Sequence, residues 1–488
     1  MLLVAALLFT GSLEAAPRLL VVVVIDQMRA DYLDRYAAEY SSGFKILERE
    51  GAVFDEAHHK HVPTTTSPGH AALSTGKPPA LTGILDNVWW DRTLGREVLS
   101  VEDSVYGQGP EKLLTPTLGD ALKNQFPTSR ILSFSIKDRA AILLGGKKAD
   151  LVLWASKKAG GFGSSGAYPA PGSWLASFNH GLKSHGKRLK DLDDKELQEF
   201  LASPESDKAL LALAKKAVKT YRLGRGPSPD ILWVSFSALD LIGHAQGPDS
   251  QAIHADLLAL DKILGRLMRF LAHQVGSKNF DLALSADHGV LPVPEEPAGV
   301  AMGARRLPEK LFQEQMESAL QTLHPAPDQK WVTAFHVPHL YLNMKLAQTL
   351  GLNPESFLNE ASRTIQSLDS VAHVYVPNHI DATDPYADVY ERSIYTGRSG
   401  DLLLRMKEGV LLGTLPIKTS HESPYPYDTH VPLILWGPDF VTGHFQNPVT
   451  TYDLAPTCAQ VLGVPFSPGP GSRILNEATK HSILSPLP

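Results

Sequence analysis

Residues 19–26, LLVVVVID, place seven apolar residues in a row in front of a carboxylate. The run has no polar alternation and is rich in β-branched valine. It therefore reads as a strand covered on both faces, as in a parallel sheet flanked by helices. Three more stretches share this character: Ile231–Ser237 (ILWVSFS), Phe280–Ser285 (FDLALS) and Val431–Trp436 (VPLILW). Asp26 ends the first strand, Asp240 follows the second, Asp287 and His288 follow the third, and His430 precedes the fourth. Open α/β sheets bind ligands outside the carboxyl ends of their strands. Three of these polar groups fall where a site is expected, and His430 has to reach it on a loop from elsewhere. The expected fold class is α/β, a mostly parallel central sheet flanked by helices on both faces, with α+β insertions.

Between the strands lie helical patterns. Ile253, Leu257, Leu260, Leu264, Leu267, Met268 and Leu271 make one stripe at 3.6-residue spacing, which predicts a helix over 252–272 lying on the sheet. Asn353-Pro354 opens another helix, running to about Leu368, with a capping residue followed by proline at the first helical position. It sits between strand-like His339–Asn343 and Val371–Val376, so residues 295–420 read as a small α+β insertion or cap. A second insertion is expected at about 145–225, around the loop GGFGSSGAYPAPGS and a charged helix near 187–220. The core would then comprise residues 16–294 and 421–488.

The chain has 488 residues, 46 Lys+Arg against 52 Asp+Glu, 19 His and one Cys. A net charge of -6 gives no global basic field for nucleic acid. One cysteine makes neither an intrachain disulfide nor a thiolate zinc cluster, so any metal site must use carboxylates and imidazoles. Residues 1–15 have the layout of a signal peptide, an apolar run followed by small residues, too short to span a bilayer. The expected form is a periplasmic or secreted monomer without a membrane span.

Asp240 and His244 are four apart, one helical turn, and Asp287-His288 precedes the turn residue Gly289. Each motif alone is more often structural. With Asp26 and His430 they make three carboxylates and three imidazoles, a set suited to two borderline ions such as Zn²⁺. The segment VPTTTSPGHAALSTG (62–76) suggests a hydroxyl-rich loop feeding a helix whose N-terminus can receive an anion. A metal-held hydroxyl becomes a nucleophile near neutral pH, and spacing does not choose among Thr64, Thr65, Thr66 and Ser67. If Lys137-Asp138-Arg139 is extended, Lys137 and Arg139 project to one side as an oxyanion clamp. Asn87 adds a neutral donor.

The segments IDQMRADYL, PTTTSPGHAALSTG, LDNVWWD, SIKDRAA, SALDLIGHAQGP, SADHG and YDTHVPLILWGP closely resemble bacterial periplasmic alkaline phosphatases of the phosphate-irrepressible type. Those enzymes belong to the alkaline phosphatase superfamily, with the type I phosphodiesterases and nucleotide pyrophosphatases. The resemblance spans about residues 19–470. It implies Thr66 as nucleophile, one zinc on Asp240, His244 and His430, and a second on Asp26, Asp287 and His288 with Thr66 beside them. It further implies that Asn87, Lys137 and Arg139 hold the phosphoryl oxygens of a small-molecule phosphate monoester. The segment 450–464, TTYDLAPTCAQVLGV, resembles the superfamily's C-terminal element and reads as packing. His70 belongs to the matched motif without a role. The competing readings are a phosphodiesterase on the same bimetallic core and an exported metal- or phosphate-binding protein.

Overall fold

The computed structural model describes residues 18–480, so the expected signal peptide lies outside the described residues. At its centre is a nine-stranded sheet. In chain order its strands are β1 (Leu19–Ile25), β2 (Ala52–Phe54), β3 (Ile131–Ser135), β4 (Leu151–Ser156), β5 (Gly161–Gly163), β6 (Asp230–Phe236), β7 (Phe280–Ser285), β8 (Leu433–Trp436) and β9 (Gly443–Phe445). The spatial order is β5-β4-β3-β6-β1-β7-β8-β2-β9. Strands β4, β3, β6, β1 and β7 run parallel, whereas β8 is antiparallel to both β7 and β2. The amino end of β8 therefore lies at the same edge of the sheet as the carboxyl ends of β1, β6 and β7.

Burial on both faces explains why β1 lacks alternation. Leu19, Val21, Val23 and Ile25 enter one core, while Leu20, Val22 and Val24 enter the other. The first core is closed by two helices, Pro204–Tyr221 and Gln251–Gln274, and the apolar stripe expected on the second is buried in it. The opposite core is closed by α1 (Thr66–Thr75), α2 (Asp138–Gly145) and the helix Leu454–Val461, which buries Cys458. Each fully buried Val or Leu contributes about 1.5–3 kcal/mol, so the central strands anchor the whole assembly.

Residues 145–225 are not an insertion throughout. Strands β4 and β5 extend the central sheet, and the Pro204–Tyr221 helix covers it. Within residues 307–412 lies a separate four-stranded antiparallel sheet with its own core, around Phe312, Trp331, Leu340 and Phe357. Among the described residues no helix is long and apolar enough to cross a membrane.

Gly69, one turn into α1, fixes how closely that helix approaches the end of β7. A Cβ built there falls 2.3 Å from the Asp287 carbonyl oxygen and 2.7 Å from Asp287 Cβ. Gly69→Ala is expected to destabilise the protein by about 1–3 kcal/mol, the usual cost of overpacking, measured by urea unfolding.

Candidate active site

The carboxyl edge of the sheet gathers the polar groups. Asp26 follows β1, Asp287 and His288 follow β7, and Asp240 and His244 lie one turn apart on α3 (Ala238–Gln246), which follows β6. Asp26, Asp287 and His288 present ligand atoms within 4.8 Å of one another, and so do Asp240, His244 and His421. Asp26, Asp287 and His288 are fully buried, and Asp240 is 2% exposed.

His421, not His430, completes the second set. Because β8 is antiparallel, the loop entering it reaches the correct edge, and the loop carries both histidines. His430, however, turns to the outer side: its Nε2 lies 2.8 Å from the Asp55 carbonyl and its ring stacks on His58 at 4.6 Å. The His421 ring lies 3.6 Å from that of His288, with Nε2 3.8 Å from Asp240 Oδ1.

The three inward imidazoles share one device. Nδ1 of His244, His288 and His421 lies 2.7–2.9 Å from the carbonyls of Thr419, Gly289 and Thr64 respectively. A carbonyl can only accept, so each Nδ1 carries the proton and each Nε2 presents its lone pair to the carboxylates. Asp26 Oδ1 and His288 Nε2 are buried without a hydrogen-bond partner, 3.6 Å apart. Anchored imidazoles and open carboxylate oxygens in this arrangement fit borderline divalent ions such as zinc.

Lys137 sits between the two sets. Its Nζ lies 2.7 Å from Asp26 Oδ2 and 2.6 Å from Asp240 Oδ2, and donates to Thr66 Oγ1 at 3.3 Å. Burial works against the lysine charge, but Asp240 and Asp26 outweigh it and raise its pKa. Burial also raises Asp26, reinforced by Asp287. For Asp240, burial is overcome chiefly by the charge of Lys137, which holds its carboxyl well below the ordinary value.

The hydroxyls in the Thr64–Ser67 loop now separate. Thr64 donates to the Ser423 carbonyl, Thr65 to Asp86 Oδ1 and Ser67 to Asn87 Oδ1. Thr66 Oγ1 instead accepts from Lys137. Asn87 Oδ1 is taken by the backbone N–H and hydroxyl of Ser67, leaving its amide N–H groups to donate outward. The expectation that 137–139 is extended does not hold: α2 begins at Asp138, with Lys137 as its N-cap. Lys137 and Arg139 nevertheless line one open cleft of about 420 Å³, with Gln108, Trp154, Gln198 and Leu241. Arg139 Nε is buried there without a partner.

Two further residues organise the site. His70 Nδ1 lies 2.8 Å from the Thr66 carbonyl and 3.1 Å from Asp287 Oδ2, and its Nε2 lies 2.8 Å from Ser235 Oγ, tying α1 to β6 and β7. Gln27, which the sequence did not single out, bridges both ligand sets. Its backbone N–H donates to Asp287 Oδ1 at 3.2 Å and its side-chain amide to Asp240 Oδ1 at 2.7 Å. Its backbone is left-handed, with φ of 65°, and Gly243 admits its side chain, since a Cβ there would fall 1.8 Å from Gln27 Oε1. A polar residue directly after a strand-end aspartate was the available signal.

The sequence profile of the family described as type I phosphodiesterase / nucleotide pyrophosphatase matches residues 20–426. Alkaline phosphatase PhoK of a Sphingomonas species is 29% identical over 508 residues, covering 92% of this chain and 89% of that protein. Alkaline phosphatase PafA of Elizabethkingia meningoseptica is 27% identical over 540 residues, covering 98% and 97%. The crystal structure of wild-type alkaline phosphatase PafA superposes with a TM-score of 0.87 at 25% identity, covering 95% of this chain and 99% of that one.

Gln27→Ala removes the amide that holds Asp240 while leaving the strand intact. Affinity for a divalent ion at the Asp240 set, measured by chelator competition, is expected to fall by about 10–100-fold, the range for losing a partner of a metal ligand, with an unchanged circular dichroism spectrum.

Proposed function

The chain belongs to the type I phosphodiesterase / nucleotide pyrophosphatase family, and from that premise we propose that it is an alkaline phosphatase hydrolysing phosphate monoesters through a phosphothreonine at Thr66. The observation that carries this reading is the Thr66 hydroxyl, which accepts from Lys137 while its three hydroxyl neighbours donate to protein acceptors. The relatives named alkaline phosphatases support the same activity. The apolar run at residues 1–15 supports export to the periplasm or beyond, and a monomer suffices because every proposed site residue comes from one chain.

Two zinc ions, one on Asp26, Asp287 and His288 with Thr66 beside them and one on Asp240, His244 and His421, would supply Lewis acidity, lowering the pKa of a hydroxyl or water and neutralising a leaving oxygen. The protein's own part is position and charge. Thr66 Oγ1 attacks phosphorus in line with the departing alkoxide, forming the phosphothreonine ester, and water then attacks that ester to return Thr66 and release phosphate. Asn87, Lys137 and Arg139 hold the non-bridging oxygens. His70 keeps the first turn of α1 in register with Asp287, which fixes the line of attack.

The two cations favour monoesters. A monoester phosphoryl group brings two negative charges and no second substituent, whereas a diester brings one fewer charge and an added bulky group. On matched aryl substrates the monoester is expected to be hydrolysed faster, and a clear diester preference would sink the assignment in favour of a phosphodiesterase. Thr66→Ala is expected to lower kcat by about 10³-fold or more, the scale for removing a nucleophile. Full turnover by that variant would exclude Thr66, and zinc-loaded wild type without any phosphatase activity would favour a binding protein.

Arg139→Ala should reveal the substrate discrimination. Loss of a charge-assisted bond of about 1.5–3 kcal/mol lowers kcat/KM for monoesters by about 10–150-fold. The diester rate is expected to fall less, so the ratio of the two rates is the measurement.

A further inference from the structure

Away from that centre, Glu56, His58 and His430 form another group, each offering a ligand atom within 4.8 Å of the others. We propose that these three residues hold a separate zinc ion that clips the segment after β2 to the segment entering β8.

The tautomers favour it. The Asp55 carbonyl, 2.8 Å from His430 Nε2, can only accept, so Nε2 carries the proton and Nδ1 the lone pair. His58 Nδ1 lies 3.2 Å from Thr429 Oγ1, and Nε2 faces Glu56 Oε2 at 3.3 Å, a long separation for a hydrogen bond and an easy one for a shared ion. Two imidazoles and a carboxylate are a three-residue zinc set, with water in the fourth position.

The backbone holds these groups in place without help from a metal. The N–H of His59 donates to the Thr429 carbonyl at 2.9 Å and that of Val431 to the Ala57 carbonyl at 3.1 Å, and His58 and His430 pair as an isolated bridge. A preformed site loses little entropy on binding. The surroundings add negative charge: a cavity of about 170 Å³ beside His430 is lined by Asp34, Glu48 and Asp55, and by Asp31, which pairs with Arg29 and Arg35, and Glu48 Oε1 is buried there without a partner. His59 and His61, from the same HHKH stretch, are buried and engaged elsewhere, His59 with Ala286 and Thr451 and His61 with Tyr452. His58 alone of the three faces this group.

Such a clip joins residues far apart in a chain with a single cysteine, the task a disulfide performs in many exported proteins. It needs neither Thr66 nor the Asp240 and Asp287 ligand sets, so it stands apart from the proposed phosphatase reaction.

The test uses the full chain loaded with zinc. Anomalous diffraction at the zinc edge is expected to show a peak between Glu56, His58 and His430. Glu56 is exposed, so Glu56→Gln should keep the fold, confirmed by circular dichroism, and keep monoester turnover. It is expected to bind one zinc equivalent fewer than wild type and to lose part of the zinc-induced rise in Tm. In an Asp240→Asn/Asp287→Asn background the equivalent lost on Glu56→Gln should remain measurable. That background separates this site from the phosphatase centre. Equal zinc content in wild type and Glu56→Gln, or no anomalous peak there, would overturn the proposal.

Discussion

Three buried carboxylates at one edge of the sheet govern the rest of the structure. Asp26, Asp240 and Asp287 are each at most 2% exposed, and burying charge is unfavourable unless partners approach closely. The neighbouring chain supplies those partners from distant segments: Lys137 ahead of α2, His70 within α1, and Gln27 through both its backbone and its side chain. One lysine against three carboxylates leaves the cluster rich in negative charge. That imbalance suits divalent cations, which would supply at one point the positive potential for phosphate that a protein of net charge -6 lacks globally.

What could be read in the sequence follows from how local each cause is. An all-apolar strand such as 19–25 is dictated by burial on both faces, so its residues alone identify it, and the carboxylates at the strand ends come with it. Strands β4 and β5 were hidden because they follow Gly145-Gly146 and border a loop of glycine, serine and proline, which reads as a surface insertion. Their place in the sheet is set by pairing between segments that local residue type does not mark: β4 runs parallel to β3 across the intervening α2, and β5 folds back antiparallel on β4. Similarly, α2 begins at Asp138, so alternation along 137–139 could not describe the geometry by which Lys137 and Arg139 reach one cleft.

His421 and His430 illustrate a finer limit. They lie nine residues apart in HESPYPYDTH, and either could cap a loop arriving at the correct edge. The choice rests on backbone carbonyls supplied by other segments. Thr64 takes the Nδ1–H of His421 and turns its Nε2 toward Asp240, whereas Asp55 takes the Nε2–H of His430 and turns that ring outward. Neither carbonyl is marked by residue type. Gln27 was missed for a related reason, since its role depends on a left-handed backbone and on the space that Gly243 leaves open.

The same logic accounts for the hydroxyl loop. Four consecutive hydroxyl residues look equivalent in sequence, yet Thr64, Thr65 and Ser67 spend their hydroxyls on fixing the loop, through Ser423, Asp86 and Asn87. The Ser67 bond also orients Asn87, so one contact both rigidifies the loop and aims a donor. Thr66 is left at the first turn of a fully buried helix with a lysine at its oxygen, held in register by His70 and by the close approach of Gly69 to Asp287. What sets the proposed nucleophile Thr66 apart is therefore its neighbours' saturation: its hydroxyl is left to Lys137 because those around it are committed to structure.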